Sequence, residues 1–474
     1  MRYFRYKTGI CIIVLAMIFA SCDSWLEVKP IDKMNEEQMY ENEEGFLTAL
    51  NGIYLGMVER NLYGENLSCG FIEALAQNYN VSESGHKFYK AGSYDYTDKD
   101  KVKPYMEAIW KKAYFLIANC NLLLEKTIGK SEVLTPEHAR LIKGEALGLR
   151  AYLHFDMFRL WGPMYDDTQK EFISIPYYTQ QTTLPGNLLK AEDVFTHILT
   201  DLDSAEVLLQ NDPVTVYGRT SGGDLLTANR HLRMNYYAVK ALKARVYLWQ
   251  GNKTEAYKCA SELLEDTKFK GFFPFIEESA VNEAKDPDRF FYSEQLFCMQ
   301  NLLRDKLYTD LFDPQLGDNE YLAPSRNAVI DLFSYNDDYR YKLMWRWNTA
   351  GGKAVAFAKY ESISDNNKPI RTKIMGLIRL AELYLIAAET APTPLEQVSY
   401  LNQFRLHRGY AANSVSISDD LPSIIRDEYH REFYGEGQYF YFMKRTKIDN
   451  WDGKELGELQ YVLPLPDSES KYRK

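Results

Sequence analysis

The sequence has 474 residues, of which 66 are acidic and 56 are basic, so its net charge at neutral pH is −10. This balance argues against a protein that binds nucleic acid through a basic surface. The length is enough to bury a sizeable core in one elaborate domain or in two ordinary ones. No Walker loop, His-Glu-x-x-His, Gly-x-Ser-x-Gly or Gly-x-Gly-x-x-Gly motif occurs, although a glycosidase would need only two carboxylates at no fixed spacing.

The N-terminus has the layout of a secretory signal. Three basic residues precede an apolar run, Ile10 to Ala20, which is too short to span a bilayer. Cys22 follows a small residue at the expected cleavage point and looks like the lipobox cysteine of a lipoprotein. We therefore expect residues 1–21 to be removed and Cys22 to carry a lipid anchor, which is stable when it consists of several acyl chains.

Helical periodicity recurs along the rest of the chain. Apolar residues at steps of three and four predict helices at Glu37 to Met57, Tyr105 to Glu125 and Glu192 to Leu209. Each of these helices has an apolar side that needs a partner. The pattern therefore indicates several helices packed on one another.

The longest predicted helix begins after Thr135, whose side chain can cap it, with Pro136 in the first turn. It must end at Trp-Gly-Pro, because Gly162 releases the backbone and Pro163 has no N–H to continue the ladder. Arg150 within it is interpreted as a scaffold residue. The apolar stripe of this helix consists of Ala139, Ile142, Ala146, Leu149, Leu153, Met157 and Leu160.

Two stretches resemble tetratricopeptide repeats. From Tyr236 to Leu264, small alanines allow two helices to approach closely, and Gly251 turns the chain between them. A second pair is predicted to start at Leu377, with its second helix at Leu395 to Arg408. We therefore predict a mainly α fold, in which residues 22–474 form a single domain: a tetratricopeptide-like helical-repeat frame with long irregular insertions and a few short β-hairpins.

One hairpin is predicted where Trp345 and Trp347 alternate onto one face, followed by turn residues Asn348 to Gly352 and the stretch Ala354 to Lys359. Another strand is predicted at Glu294 to Gln300. The two tryptophans offer either a platform for a sugar or packing against the helices. Packing is the favoured interpretation.

The helix within Lys143 to Pro163, the two repeats and the C-terminal stretch RDEYHREFYGEGQYFYFMKR together resemble the SusD/RagB family of outer-membrane lipoproteins. The resemblance covers nearly the whole chain. In the C-terminal stretch, the family's Arg/Glu-rich helix and Phe-x-Phe-Glu-Gly pattern are matched by residues 431–437. Gln438, Tyr439 and Tyr441 then depart from the family, so its usual ion pair in this segment is not expected. All of these are interpreted as residues of the fold, with no ligand role.

The resemblance implies a cell-surface lipoprotein of Bacteroidetes, anchored in the outer membrane by lipid alone. Such a protein captures oligosaccharide and acts as a lid on a SusC-like TonB-dependent transporter. It binds without catalysis and needs no cofactor. Two alternatives stay open: a peptide-binding lid of the RagB type, and a surface scaffold or hydrolase.

Ligand contacts are predicted in two aromatic-rich insertions, 61–103 and 266–369, because loops on a rigid frame can present ligand groups. Aromatic side chains stack on the apolar faces of sugar rings, while amides, carboxylates and Arg bond the hydroxyls. The preferred candidates are Asn78, Tyr79, Asn80, Tyr89, Tyr94 and Tyr96. The second group comprises Asn301, Arg304, Tyr308, Asp318, Asn319 and Tyr321, and Trp345 and Trp347 complete the candidates.

Histidine and cysteine show no metal or redox spacing. His154, in the longest helix, is interpreted as a packing residue. Cys120 and Cys259 fall in helical patterns and are interpreted as small buried hydrophobes. The sequence leaves open disulfides among these two, Cys69 and Cys298. It also leaves open a calcium site in Asp-rich turns, although their spacing does not match an EF-hand loop.

Overall fold

The structure is a computed structural model that describes residues 36–130, 132–219, 223–283, 287–362, 370–451 and 453–473. The predicted signal peptide 1–21 and the predicted lipid-attachment residue Cys22 lie outside the described residues. The long helices are α1 Glu43–Met57, α2 Lys103–Lys126, α3 Pro136–Trp161, α4 Ala191–Leu209, α5 Tyr236–Trp249, α6 Lys253–Glu265, α7 Leu380–Thr390, α8 Pro394–Leu406, α9 Leu421–Glu432 and α10 Gln438–Thr446.

Short helices occupy the connections between the long ones. They are Glu36–Met39, Phe71–Leu75, Tyr89–Gly92, Val214–Tyr217, Thr267–Phe272, Glu278–Val281, Arg304–Leu307, Arg326–Leu332, Tyr339–Met344, Glu458–Tyr461 and Asp467–Ser470. The strands are β1 Gln295–Gln300, β2 Trp345–Trp347, β3 Val355–Phe357, β4 Ile374–Arg379, β5 Asn450–Trp451 and β6 Lys454–Glu455.

The long helices form a stack. Each helix from α1 to α7 packs against the next one in the chain, and α9 packs on α7. A single contiguous hydrophobic core runs through these contacts. The predicted mainly α, tetratricopeptide-like frame is confirmed, because each helix buries its apolar stripe on its sequence neighbours.

Helix α3 lies deep in this stack and has the predicted ends. The Thr135 side chain accepts a hydrogen bond from the His138 N–H at 3.1 Å, and Pro136 is the first helical residue. At the other end, the Gly162 N–H donates to the Phe158 carbonyl at 2.7 Å, and Pro163 follows. The Trp161 indole donates to the Pro464 carbonyl at 2.9 Å, so the helix terminus is tied to the C-terminal stretch.

One predicted helix is interrupted, and another begins later than predicted. The helix predicted over Glu37 to Met57 is interrupted, because Asn42 caps α1 by accepting from the Gly45 N–H at 3.0 Å. A Cβ at Gly45 would lie 1.4 Å from the Met39 carbonyl oxygen, so the chain turns sharply there. The second repeat begins at Leu380, not at Leu377, because the preceding residues form β4.

The strands form three two-stranded antiparallel sheets. β1, which lies within the second insertion, pairs with β4, which follows that insertion in the chain. The predicted tryptophan hairpin is confirmed as β2–β3, with Trp345 opposite Phe357 and Trp347 opposite Val355. Its turn uses Asn348 in a left-handed conformation with φ 48°.

Candidate ligand-binding site

A cavity of about 700 Å³ opens between four parts of the chain that are far apart in sequence. We call it the first cavity. The first insertion supplies residues 77–82 with Tyr89, Gly92 and Ser93, and the second supplies Pro324, Ser325, residues 327–329, Asp331 and Leu332. The other walls are Arg426, Asp427 and His430 of α9 with Tyr434, and Trp451 and Lys454 of the β5–β6 hairpin.

The two insertions meet at one wall of the first cavity. The Asn80 N–H donates to the Ala323 carbonyl at 2.9 Å, which joins the first insertion to the second. The Asn80 side chain is exposed and accepts from the Ser82 hydroxyl at 2.9 Å. Its amide group is therefore available to a ligand in the cavity.

The floor of the first cavity is a buried network of hydrogen bonds. The Asn78 amide donates to Glu73 at 2.5 Å and accepts from the His430 ring at 2.7 Å, while the Tyr434 hydroxyl donates to the Asn78 carbonyl. The Glu73 carboxylate also accepts from the N–H groups of Gly435 and Gly437 at 3.1 and 2.7 Å. Every polar atom of the Asn78 side chain is thus engaged in holding the floor together.

Burial sets the charge states in this floor. It raises the pKa of Glu73 to about 7, against the lowering effect of the hydrogen bonds from Asn78, Gly437 and Gly435. Burial also lowers the pKa of His430 to about 3, with Arg431 acting in the same direction. The His430 imidazole is therefore neutral at physiological pH, so its Nε2–H can donate to Asn78.

Helix α9 is held in place by buried ion pairs on its far side. Arg340 contacts Asp338, Glu428 and Glu432 at 2.6, 2.7 and 3.2 Å. Arg408 pairs with Glu432 and also with Glu294, the residue immediately before β1. Burial alone would raise the pKa of Glu432, but Arg408 and a second arginine hold it well below its usual range. The opposite edge of α9, with Arg426 and His430, is presented to the cavity.

Several side chains at the cavity surface have polar groups or rings that a ligand could contact. Tyr89 is half-buried, and its hydroxyl has no hydrogen-bond partner within the described ranges. Asp331 is exposed and has no ion-pair partner among them. Trp451 is half-buried and meets His430 edge-to-face at 5.4 Å between ring centroids. Rings, a carboxylate and an amide thus converge on one volume, which suits a ligand with apolar faces and many hydroxyls.

Comparisons with known proteins agree with this architecture. Residues 24–248 match a SusD-like family model described as starch-binding and associating with the outer membrane. Residues 333–471 match the SusD family model. The chain belongs to the SusD/RagB family.

Individual relatives are similar to this chain in sequence or in fold, at low sequence identity. A SusD-like protein of Formosa agariphila is 21% identical over 94% of this chain and 92% of its own length. A solved SusD superfamily structure from Bacteroides thetaiotaomicron superposes with a TM-score of 0.72 at 22% identity, covering 91% of this chain and 98% of that one. A SusD-like carbohydrate binding protein from Bacteroides vulgatus gives a TM-score of 0.67 at 19% identity, with 91% and 96% covered.

Gln438 and Tyr441, which depart from the SusD/RagB pattern, both contact Arg159 of α3. Arg159 of α3 donates to the Gln438 side chain at 2.9 Å and lies over the Tyr441 ring at 3.6 Å. It also pairs with Asp156, one turn earlier in the same helix. A cation–π contact from α3 therefore anchors the start of α10.

The first insertion contributes four of its six predicted ligand residues to the first cavity. Asn78, Tyr79, Asn80 and Tyr89 line it, although Tyr79 is 4% exposed and donates its hydroxyl to the Cys69 carbonyl at 2.7 Å. Tyr94 and Tyr96 do not line it. Their hydroxyls donate to the backbone carbonyls of residues 75 and 460, so both tyrosines serve the fold.

The second group of predicted ligand residues lies away from the first cavity. Asn301 is 7% exposed and Arg304 is fully buried, with its guanidinium over the Phe290 ring at 4.5 Å. Tyr321 donates its hydroxyl to the Val355 carbonyl at 2.6 Å. Three further residues of this group, Tyr308, Asp318 and Asn319, also lie outside the lining.

The tryptophan hairpin also lies outside the lining of the first cavity. Trp345 is 3% exposed and meets Tyr434 edge-to-face at 5.0 Å between ring centroids. Trp347 is half-buried, with the Arg326 guanidinium 5.3 Å from its ring. The favoured packing role agrees with these positions.

The sequence pattern missed much of the site. Residues 324–332 belong to the predicted second insertion, but none of them was among the named candidates, and the cavity edge of α9 and Trp451 were not predicted to contact ligand. The C-terminal stretch was assigned wholly to the fold, yet Arg426, Asp427 and His430 line the first cavity. One available signal was Trp451, an aromatic residue in a polar stretch beside Gly453, which adopts φ 76°.

The four described cysteines and His154 lie in the core. Cys120 and Cys259 are free and buried, as are Cys69 and Cys298. His154 is also a packing residue: it accepts from the Tyr178 N–H at 3.1 Å and contacts the Arg150 carbonyl at 2.9 Å. Within the described ranges, no group of three or more His, Cys, Asp or Glu side chains could hold a metal ion. None of the helices in those ranges is long and apolar enough to cross a membrane.

Proposed function

We propose that this SusD/RagB-family protein captures an oligosaccharide in the first cavity. The observation that carries the proposal is the convergence of Tyr89, Trp451, Asn80 and Asp331 on one open volume of about 700 Å³. Aromatic rings stack on the apolar faces of sugars, and amides and carboxylates bond their hydroxyls. Descriptions of relatives as starch-binding or carbohydrate binding support the same ligand class.

The geometry favours binding without hydrolysis. A glycosidase needs two carboxyl groups facing each other across the bond that is cut, one of them with a raised pKa. Glu73, the carboxyl with a raised pKa nearest the first cavity, is fully buried beneath Asn78 and is absent from the lining. Of the two carboxylates in the lining, Asp427 is paired with Arg426 at 2.9 Å, so within the described ranges only Asp331 lacks an ion-pair partner.

We further propose that the protein is a lipid-anchored lid at the cell surface, seated on a SusC-like TonB-dependent transporter. The family description of association with the outer membrane supports this location. The lipobox-like Cys22 supports the anchor. We expect a TonB-dependent transporter to co-purify with the full-length protein from its native membrane. This co-purification should be lost in Cys22→Ala. A protein that stays soluble and alone with Cys22 intact would contradict the lid.

Calorimetric titration of the lipid-free chain starting at Asp23 tests the ligand class. The titrants are a panel of plant, microbial and host oligosaccharides and a mixed peptide pool. We expect heat with at least one oligosaccharide, and an affinity loss of about tenfold, or about 1.4 kcal/mol, in Tyr89→Ala. Tyr94→Phe is the matched control, because Tyr94 lies outside the lining. Heat with peptides alone would replace this proposal with a peptide-binding lid.

A further inference from the structure

A second, smaller cavity lies elsewhere on the frame. Its volume is about 240 Å³, and it opens between the outer face of α2 and the extended segment 176–185, next to the C-terminal residue Glu469. It shares no lining residue with the first cavity. Its size is below the range of roughly 300–1,000 Å³ usual for drug-sized ligands. It therefore has room for one ring.

The segment that forms one wall of this second cavity is clamped by buried side chains of the frame. Asn121 of α2 donates to the carbonyls of Tyr178 and Gln180, both at 3.1 Å. Arg150 of α3 donates to the Thr179 carbonyl at 3.2 Å. His154 accepts from the Tyr178 N–H at 3.1 Å. Three consecutive residues of an otherwise irregular segment are thereby fixed from beneath.

The clamp is itself rigid. Arg150 donates to Asp201 at 2.7 and 2.5 Å and to the Asn121 side-chain oxygen at 2.7 Å. Burial alone would lower the pKa of Arg150, but its hydrogen bonds and charge contact with Asp201 raise it. The wall is therefore preorganised, so binding would not require its ordering.

Aromatic rings form the floor of the second cavity. Trp110 and Tyr114 lie 4.5 Å apart between ring centroids, and Tyr114 meets Tyr178 edge-to-face at 5.6 Å. The Tyr114 hydroxyl donates to the Pro176 carbonyl at 3.1 Å, which fixes this ring against the clamped segment. These rings are inclined to one another by 46° and 84°, and Trp110 is only 4% exposed. The half-buried rings of Tyr114 and Tyr178 supply the individual apolar surfaces on which a sugar ring can stack.

The rim carries polar groups with spare capacity. Glu469 accepts from Arg473 through Oε1, which leaves Oε2 available as an acceptor. The Tyr178 hydroxyl accepts from the Gly186 N–H at 2.8 Å, which leaves its own proton to donate. Gln180 and Thr183 are exposed at the mouth. An apolar floor beneath acceptors and donors matches a pyranose, with C–H groups on its face and hydroxyls at its edge.

We propose that the second cavity is a separate carbohydrate subsite that binds a single pyranose ring. The assignment of its ligand class rests on the proposed function of the first cavity. The clamp formed by Arg150, Asn121 and His154 supports a binding wall here. On this account helix α3 supports a binding wall in addition to packing in the core.

Saturation-transfer difference NMR with methyl pyranosides of glucose, galactose and mannose tests this subsite on the lipid-free chain. We expect saturation transfer from wild type, retained in Tyr89→Ala and lost by at least about tenfold in affinity in Ala118→Trp, which fills the second cavity. Leu184→Ala, at the exposed mouth, weakens binding without altering the fold. Phe115→Ala is the matched control, because this ring is exposed on the same helix but outside the lining.

The outcomes separate the two proposals. Pyranoside signals that vanish in Tyr89→Ala but persist in both Ala118→Trp and Leu184→Ala would overturn the second subsite and leave the first cavity in place. Absence of signal from every pyranoside would overturn the subsite as well. Pyranoside binding lost in Leu184→Ala, with no oligosaccharide heat in calorimetry, would instead support the subsite and contradict the proposed function of the first cavity.

Discussion

The helical frame and the first cavity use the same residue types in opposite ways. In the frame, Arg150 and Arg340 are buried and their guanidinium groups are bonded to carboxylates. In the cavity, Asp331 and the Tyr89 hydroxyl have no such partner within the described ranges. The difference teaches that a polar residue in this molecule serves the fold when its hydrogen bonds are complete. Changes in the frame should therefore reduce stability, and changes in the cavity should reduce binding.

The largest expected effect is on the frame. Arg340→Met leaves the buried carboxylates of Asp338, Glu428 and Glu432 without their shared cation, which should cost about 3–5 kcal/mol in the free energy of unfolding. Urea denaturation measures this change. Lys342→Met is the control on the same short helix, since its pair with Asp337 is exposed and should contribute less than about 1 kcal/mol. Equal losses in the two variants would contradict the distinction.

The second effect is a pH dependence of the free energy of unfolding, which arises from His154 in the frame. Burial lowers the pKa of His154 to about 3, so the folded state takes up a proton less readily than the unfolded state. The stability contributed by neutral His154 is fully present above pH of about 6.5 and decreases as pH falls toward 3, by about 1.4 kcal/mol per pH unit. In His154→Gln this part of the slope should disappear. Unfolding curves at pH 7, 6 and 5 measure it, and parallel slopes for the two proteins would contradict it.

The third effect is on binding. Trp451→Ala should weaken oligosaccharide affinity about tenfold, or about 1.4 kcal/mol, with little change in stability, because the ring is half-buried at the cavity surface. Trp347→Ala is the matched variant, since Trp347 is also half-buried but lies outside the lining. Calorimetry of both variants distinguishes the two tryptophans. A greater loss in Trp347→Ala would move the ligand site to the β2–β3 hairpin.

The smallest effect should come from one hydrogen-bonding group. Asp331→Asn replaces a charged acceptor with a neutral amide, and we expect a loss of about 0.5–1.5 kcal/mol in oligosaccharide binding. Asp318→Asn removes a comparable exposed charge from the same insertion but outside the first cavity. Its affinity should match wild type. If both variants bind equally well, Asp331 does not contact the ligand.

The frame was largely predictable because its signals are local. The Thr135 cap, the Trp-Gly-Pro stop and the alanine-rich repeats each lie within a few residues, and the predicted helices followed. The split before α1 was missed because apolar periodicity continues across it, although the Asn42 cap that marks it is also a local signal. The close approach of Gly45 to the Met39 carbonyl leaves no trace in that periodicity.

The site was only partly predictable because its walls are brought together by tertiary packing. Asn78 and His430 bond across a separation of 352 residues. Composition also could not distinguish Tyr89, which lines the cavity, from Tyr96, whose hydroxyl is bonded to a backbone carbonyl. Both are tyrosines in the same polar insertion. Only the completed fold determines which hydroxyl has a partner.

The most direct test of the central claim is a crystal structure of the lipid-free chain with the tightest-binding oligosaccharide from the calorimetric panel. The account predicts an intact sugar chain in the first cavity, with rings against Tyr89 and Trp451 and hydroxyls bonded to Asn80 and Asp331. The floor formed by Asn78 and neighbouring residues should keep its hydrogen bonds. A cleaved sugar, or a ligand seated on the β2–β3 hairpin with the first cavity empty, would contradict the account.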